Sequence, residues 1–461
     1  MPKIFIYACI TLFLCISCTK KPDQSTSEMK TKSVRLVILD PGHFHAALVQ
    51  KTAYEDVDST VQVYAPKGND LNYYLDRIKG YNTRSDSPTN WNEQVYTGED
   101  FFEKMIAEKK GNVVVLSGNN KKKTEYILTS LQNQFNVLAD KPMAIDRKGF
   151  DQLKRAFEIA QENKLLLYDI MTERFEITTM LQREFSILPE VFGVMEKGTP
   201  ENPAITKESV HHLYKYVSGN VLTRPAWFLD ASQQGEGIVD VMTHLVDLVQ
   251  WECFPEQVID TTEINVNTAR RWSTDIGLSQ FQEITKLDVF PDYLNKNVVA
   301  DTVLKIFCNG EINYKIRGVQ AKTSVIWKYK APDGTGDTHY SIMRGTKANL
   351  VIRQDKDEQY KPTLYIEPVG KVANYENVLR EQFKTVETKY PGIELKKSKN
   401  GWEVIIPEIY KEGHEAHFAR VTEKFLEYLK NNNMPSWEVP NMIAKYFTTM
   451  QGLEVSLKSN P

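Results

Sequence analysis

Cysteine is scarce: five occur among 461 residues, at positions 9, 15, 18, 253 and 308. Such a count excludes a disulfide framework and a cysteine-based metal cluster, and leaves Cys253 and Cys308 to be read as buried thiols. Excess charge of either sign is also missing. Lys and Arg number 57 against 60 Asp and Glu, a net charge of −3, so no global basic field points to nucleic acid. Internal repeats and long low-complexity tracts are absent too, which excludes solenoid and fibrous architectures. Aromatic residues, by contrast, make up 11% of the chain, which fits a globular protein with carbohydrate-facing surfaces.

The apolar run Ile4–Ile16, preceded by Lys3, is too short for a membrane span and suits the core of a signal peptide. It ends in Cys15-Ile16-Ser17-Cys18, where a small residue directly precedes a cysteine. The segment resembles the lipobox of bacterial lipoproteins, with Cys15 where Leu is usual. That resemblance implies cleavage before Cys18, lipidation of Cys18, and a lipid-anchored protein of the bacterial cell envelope. Residues 1–17 then form the signal and 18–33 a flexible polar tether.

Beyond the tether, apolar strands alternate with amphipathic helices. Strands are expected at Val34–Asp40, Val61–Ala65, Val113–Ser117, Phe135–Leu138 and Leu165–Tyr168, with helices at Phe44–Tyr54, Phe101–Lys109, Lys121–Asn133 and Phe150–Gln161. This alternation predicts an α/β fold with a Rossmann-like, doubly wound parallel sheet over residues 34–172. Lys67–Gly98 reads as an irregular insertion. From residue 173 to 461 longer strands predict an α+β domain with a mixed, largely antiparallel sheet.

In a doubly wound sheet the ligand lies at the carboxyl ends of the strands. The first turn here, Asp40-Pro41-Gly42-His43-Phe44-His45, keeps one glycine of the dinucleotide fingerprint, and no acid ends the second strand. Further on, Asp140-Lys141-Pro142 follows one strand. Asp240 and His244 stand four apart in the apolar segment Gly235–Trp251, which reads as a helix with Asp240, His244, Asp247 and Trp251 along one stripe. Burying an acid and an imidazole unpaired would cost several kcal/mol, so both need partners.

The ordered set Val113–Asn120, Val137–Ala144, Tyr168–Phe175 and Gly235–Asp247 resembles the glucose–fructose oxidoreductase, inositol dehydrogenase and MocA (Gfo/Idh/MocA) family. The resemblance implies an NAD(P)-dependent enzyme that transfers hydride at a secondary hydroxyl of a sugar or glycoside, with the third ring carbon as the expected position. It implies catalytic roles for Lys141, His244 and Asp240. Cofactor contacts are expected from Gly42, His43, Phe44, Ser117, Asn119, Asn120, Asp140, Lys141 and Pro142, and substrate contacts from Arg174, His212, Trp227 and Asp240. Export implies a tightly held, recycled cofactor, NAD or NADP with NAD favoured. The expected partners are a small carbohydrate, the membrane through its lipid anchor, and further copies of the chain.

Three alternatives stand beside this reading. One is an NAD-dependent glycosidase of the same family. Another is a sugar-binding lipoprotein that has lost its cofactor. The third is a metal-dependent hydrolase using His43 and His45, which project together from a strand end; the favoured reading itself places no metal in the site.

Overall fold

The computed structural model describes Met1 and residues 33–459, apart from 218–219, 333 and 371–372. Cys18 and most of the tether lie outside the described residues. No helix among the described residues is long and apolar enough to cross a membrane.

Six short strands build the first sheet: β1 (Leu36–Leu39), β2 (Thr60–Tyr64), β3 (Asn92–Tyr96), β4 (Val113–Leu116), β5 (Asn136–Asp140) and β6 (Leu167–Ile170). Their order is β3-β2-β1-β4-β5-β6 and every pairing is parallel. β1 and β4 read LVIL and VVVL and are buried throughout, as strands covered on both faces require. The order reverses between β1 and β4, so the two turns that follow them face each other at the switch point.

Two sequence expectations change in this half. Helix after β1 is confined to His45–Leu48, so the expected helix Phe44–Tyr54 is only one turn long. The supposed insertion Lys67–Gly98 contains the helix Asn69–Thr83 and the edge strand β3. That helix buries only Leu71, Tyr74 and Ile78, and its remaining positions are too polar to show an apolar stripe.

The second sheet has ten strands. It is centred on β7 (Ile205–Tyr214), which pairs parallel with Val319–Lys330 and antiparallel with Thr338–Arg344. The other pairings are antiparallel, which makes the sheet mixed and largely antiparallel. One of the longer strands expected here, Val303–Ile316, runs unbroken through Gly310. Cys253 and Cys308 are free and half-buried.

A last helix, Glu438–Ser459, joins the halves. It packs on the strand Ile264–Gly277 and the helix Met242–Cys253, and its Tyr446 hydroxyl accepts the Met143 N–H at 3.1 Å. A buried ionic network holds it. Arg174 grips Asp247 through two bonds of 2.6 and 2.7 Å and reaches Glu438 at 3.0 Å, while Lys445 bridges Asp169 and Asp247 at 2.5 and 3.0 Å.

Candidate active site

The turn after β1, the loop after β5, the segment leading into Met242–Cys253, β7 with its neighbours, and the start of the helix His414–Asn431 enclose a cavity of about 860 Å³. Seven of the eight histidines line it: His43, His45, His211, His244, His339, His414 and His417. The eighth, His212, is buried behind this wall. Its Nδ1 lies 3.1 Å from Asp337, a carboxylate that also meets His211 Nδ1 at 3.2 Å and Lys215 Nζ at 2.8 Å. His212, expected to contact substrate, does not line the cavity, whereas its neighbour His211 does.

Lys141, Asp240 and His244 come together as expected. Lys141 Nζ donates to Asp240 Oδ1 at 2.6 Å, and Gln234 Nε2 donates to the other oxygen at 3.0 Å. Asp240 lies in the turn ahead of the helix rather than on it, because the helix begins at Met242. Close packing sets that turn: a Cβ on Gly237 would stand 1.9 Å from the Cys308 carbonyl oxygen. Burial pushes His244 down to about 3, opposed by the nearby Glu173 carboxylate, so its imidazole is neutral at neutral pH. Its Nδ1 is buried without a hydrogen-bond partner.

A second cluster sits at the ends of β1 and β5. His45 Nδ1 lies 2.9 Å from Asp140 Oδ2, and His43 Nδ1 lies 3.5 Å from the same oxygen. Ser117 Oγ donates to that oxygen at 3.1 Å, and Lys123 Nζ donates to the Asp140 carbonyl at 3.0 Å. Burial holds both imidazoles below their ordinary range and therefore neutral. Burial alone would raise the Asp140 carboxyl, but the surrounding imidazoles and the Lys123 ammonium hold it well below the carboxylate range.

The turn after β1 differs from a dinucleotide cradle. The Gly42 and His43 N–H groups both donate to the Ser117 carbonyl at 3.2 Å, and a Cβ on Gly118 would meet the Asp40 carbonyl at 2.1 Å. Trp227 packs on Gly42 and donates its indole N–H to Asp70 at 2.8 Å. Asn119 Nδ2 donates to the Gln233 side chain at 2.8 Å and Asn120 Nδ2 to the Gln234 carbonyl at 2.7 Å. Ser117, Asn119, Asn120, Asp140 and Pro142 line neither this cavity nor the smaller one beside it. Arg174 and Trp227, expected at the substrate, also line neither: the first is spent on Asp247 and Glu438, the second on Gly42 and Asp70.

The smaller cavity, about 320 Å³, shares His43, Phe44, Arg224 and Phe228 with the larger one and is also lined by Gly42 and Arg77. Arg224 is the residue that sequence reasoning missed. It is buried, donates to the Leu213 and His212 carbonyls at 2.8 and 3.2 Å, and stacks on Phe228 and Trp327. No carboxylate pairs with it among the described residues, and burial lowers its guanidinium to about 10. A buried cation at the junction of two cavities can attract an anionic group.

A family model described as "Putative oxidoreductase C terminal domain" matches residues 181–457. The crystal structure of a "putative oxidoreductase" from Parabacteroides merdae ATCC 43184 is 56% identical, with 93% of this chain and 99% of that one covered and a TM-score of 0.91. More distant likenesses include a "putative myo-inositol dehydrogenase" from Sinorhizobium meliloti 1021, at 12% identity, 93% and 98% coverage and a TM-score of 0.54. Another is KijD10, a 3-ketoreductase from Actinomadura kijaniata solved with NADP and TDP-benzene, at 12% identity, 89% and 94% coverage and a TM-score of 0.53. At such identities the likeness concerns the fold. The curated proteins contain no match. With more than half of its length matched by the family model and a relative of 56% identity along nearly all of it, the chain belongs to this oxidoreductase family, on a Gfo/Idh/MocA-like fold.

Proposed function

We propose that the chain transfers hydride at a secondary hydroxyl of a sugar or glycoside, at the third ring carbon, using NAD or NADP, with NAD favoured. The observation that carries the reading is the meeting of Lys141, Asp240 and His244 on the wall of one cavity. The fold family implies the cofactor, and the residues fit it in an altered way. Arg224, buried and without a carboxylate partner among the described residues, would hold the diphosphate together with Arg77. The smaller cavity beside Gly42 and Phe44 would take the adenosine end and the larger one the nicotinamide. When bound, the nicotinamide supplies the hydride acceptor or donor.

The chain's own residues handle the proton. Neutral His244 accepts the hydroxyl proton, and Lys141, steadied by Asp240, stabilises the alkoxide that develops. Aromatic Phe228 and Trp327 offer apolar wall for a sugar face. The test is a panel of glycosides with NAD⁺ or NADP⁺, read by the absorbance of reduced nicotinamide. Turnover that disappears in Lys141→Met is the expected outcome; undiminished turnover in that variant defeats the site assignment. The lipobox-like segment supports acylation at Cys18 and a place in the cell envelope. Labelled palmitate should enter the wild-type chain and not Cys18→Ala, and equal labelling of the two would refute it.

A further inference from the structure

We propose that His43, His45 and Asp140 form a binding site for a single divalent first-row transition cation, of the zinc or iron(II) class. One donor atom from each residue lies within 4.8 Å of the other two. A tetrahedral ion with bonds of about 2.0–2.1 Å brings its donors to roughly 3.4 Å apart. The Asp140 oxygen is already 2.9 and 3.5 Å from the two Nδ1 atoms, so small side-chain rotations close the set.

The local fold explains why these donors converge. His43 lies in the turn after β1 and His45 opens the short helix that follows, while Asp140 ends β5, two places away across β4 in the sheet. The two imidazole rings stand edge to face at 4.0 Å. His43 Nδ1 is buried and forms no hydrogen bond, which leaves a ligating nitrogen unsatisfied. The supporting contacts suit a metal centre: Ser117 orients the carboxylate through its side chain, and Lys123 fixes the loop through the Asp140 carbonyl. Two imidazoles and one carboxylate with vacant positions are a donor set shared by zinc hydrolytic sites and non-haem iron(II) sites.

Both histidines line the larger cavity, so the positions left open would take water or a ligand oxygen. The ion would stand on the same wall as Lys141 and His244 and could bind a sugar hydroxyl as a Lewis acid. The inference is independent of the nicotinamide: the donors are side chains, whichever cofactor the cavity holds.

The test uses the full soluble chain from Thr19, purified without chelator and after removal of any histidine tag. Elemental analysis should find close to one equivalent of one such metal per chain, or one equivalent after addition of Zn²⁺ and desalting. Cobalt(II) substitution should give visible d–d absorption. His45→Gln and Asp140→Asn should each lower the affinity for Zn²⁺ more than tenfold, with melting curves showing that they still fold. Lys141→Met, which keeps the three donors, should lose turnover and retain the metal. Less than a tenth of an equivalent of any metal, together with no Zn²⁺ or Co²⁺ binding, overturns the proposal. Metal binding of equal strength in both donor variants overturns it as well.

Discussion

The side chains of Lys141 and Asp240 arrive from segments 99 residues apart and meet at 2.6 Å in a buried site. In the proposed reaction His244 takes the proton and Lys141 stabilises the alkoxide, and a positioned acid–base group contributes about 10²–10⁴ in rate. Lys141→Met and His244→Gln should each lose turnover within that range, and kcat on whichever glycoside of the panel is turned over is the measurement. Arg174 carries a different kind of consequence. Its guanidinium neutralises Asp247 and Glu438 away from either cavity, so Arg174→Met should cost about 3–5 kcal/mol of stability by leaving those charges buried and uncompensated. Urea unfolding checks this, and a loss below 1 kcal/mol would contradict it. Lys141, Asp240 and His244 were legible through the ordered motifs of the family resemblance, although they sit in a loop, a turn and a helix in the fold. It could not separate Arg174 from a substrate ligand, because both roles ask for an arginine near a strand end and only the partners differ. Arg224 carried no signal at all, because its burial and its lack of a paired carboxylate among the described residues are set by the fold.

At the level of elements, the segment Gly235–Cys253 divides into a packed turn and a helix. Gly237 touches the Cys308 carbonyl of the neighbouring strand so closely that Gly237→Ala must push backbone apart. The expected loss is about 1–3 kcal/mol, measured by thermal melting, with a larger fall in turnover because Asp240 moves with the turn. A variant with wild-type melting and turnover would contradict the packing argument. Apolar periodicity extended the helix back to Gly235, since Ile238, Val239 and Val241 are as buried as the helix itself. Periodicity reports burial, and a buried turn gives the same signal. The reverse error occurred at Asn69–Thr83, where a mostly polar helix gave no stripe to read. Strands β1, β4, β5 and β6 were legible from their apolar runs, and the parallel order followed from their alternation with helices.

For the whole molecule, the gathering of seven histidines around one cavity has a thermodynamic consequence. His43, His45, His211, His244 and His417 are all lowered, chiefly by burial. The unfolded chain therefore binds more protons than the folded one as pH falls below about 6.5, and stability drops by about 1.4 kcal/mol per pH unit for each fully buried group. The stabilisation is complete above that pH and is lost toward the folded value, about 3 for His244. Asp140 and Asp337, both held low, add losses of the same sign at still lower pH. Melting temperature should fall steeply between pH 7 and 5, and a constant value would mean that the histidines bind protons equally in the folded and unfolded chain. This gathering was invisible in the sequence, because β7, the strand Thr338–Arg344 and the helix His414–Asn431 bring their histidines together only through the second sheet and the late helix.

Whether the paired cavities hold a nicotinamide dinucleotide beside Lys141 and His244 can be tested without a substrate. The chain from Thr19 onward is purified, denatured, and its released small molecules are identified by mass spectrometry, with NADH and NADPH titrated into the protein in parallel. NAD(H) or NADP(H) is expected in near-equal amount to protein, or saturable binding on addition that Arg224→Met weakens more than tenfold. A protein that carries no nucleotide and binds none would contradict the proposed function.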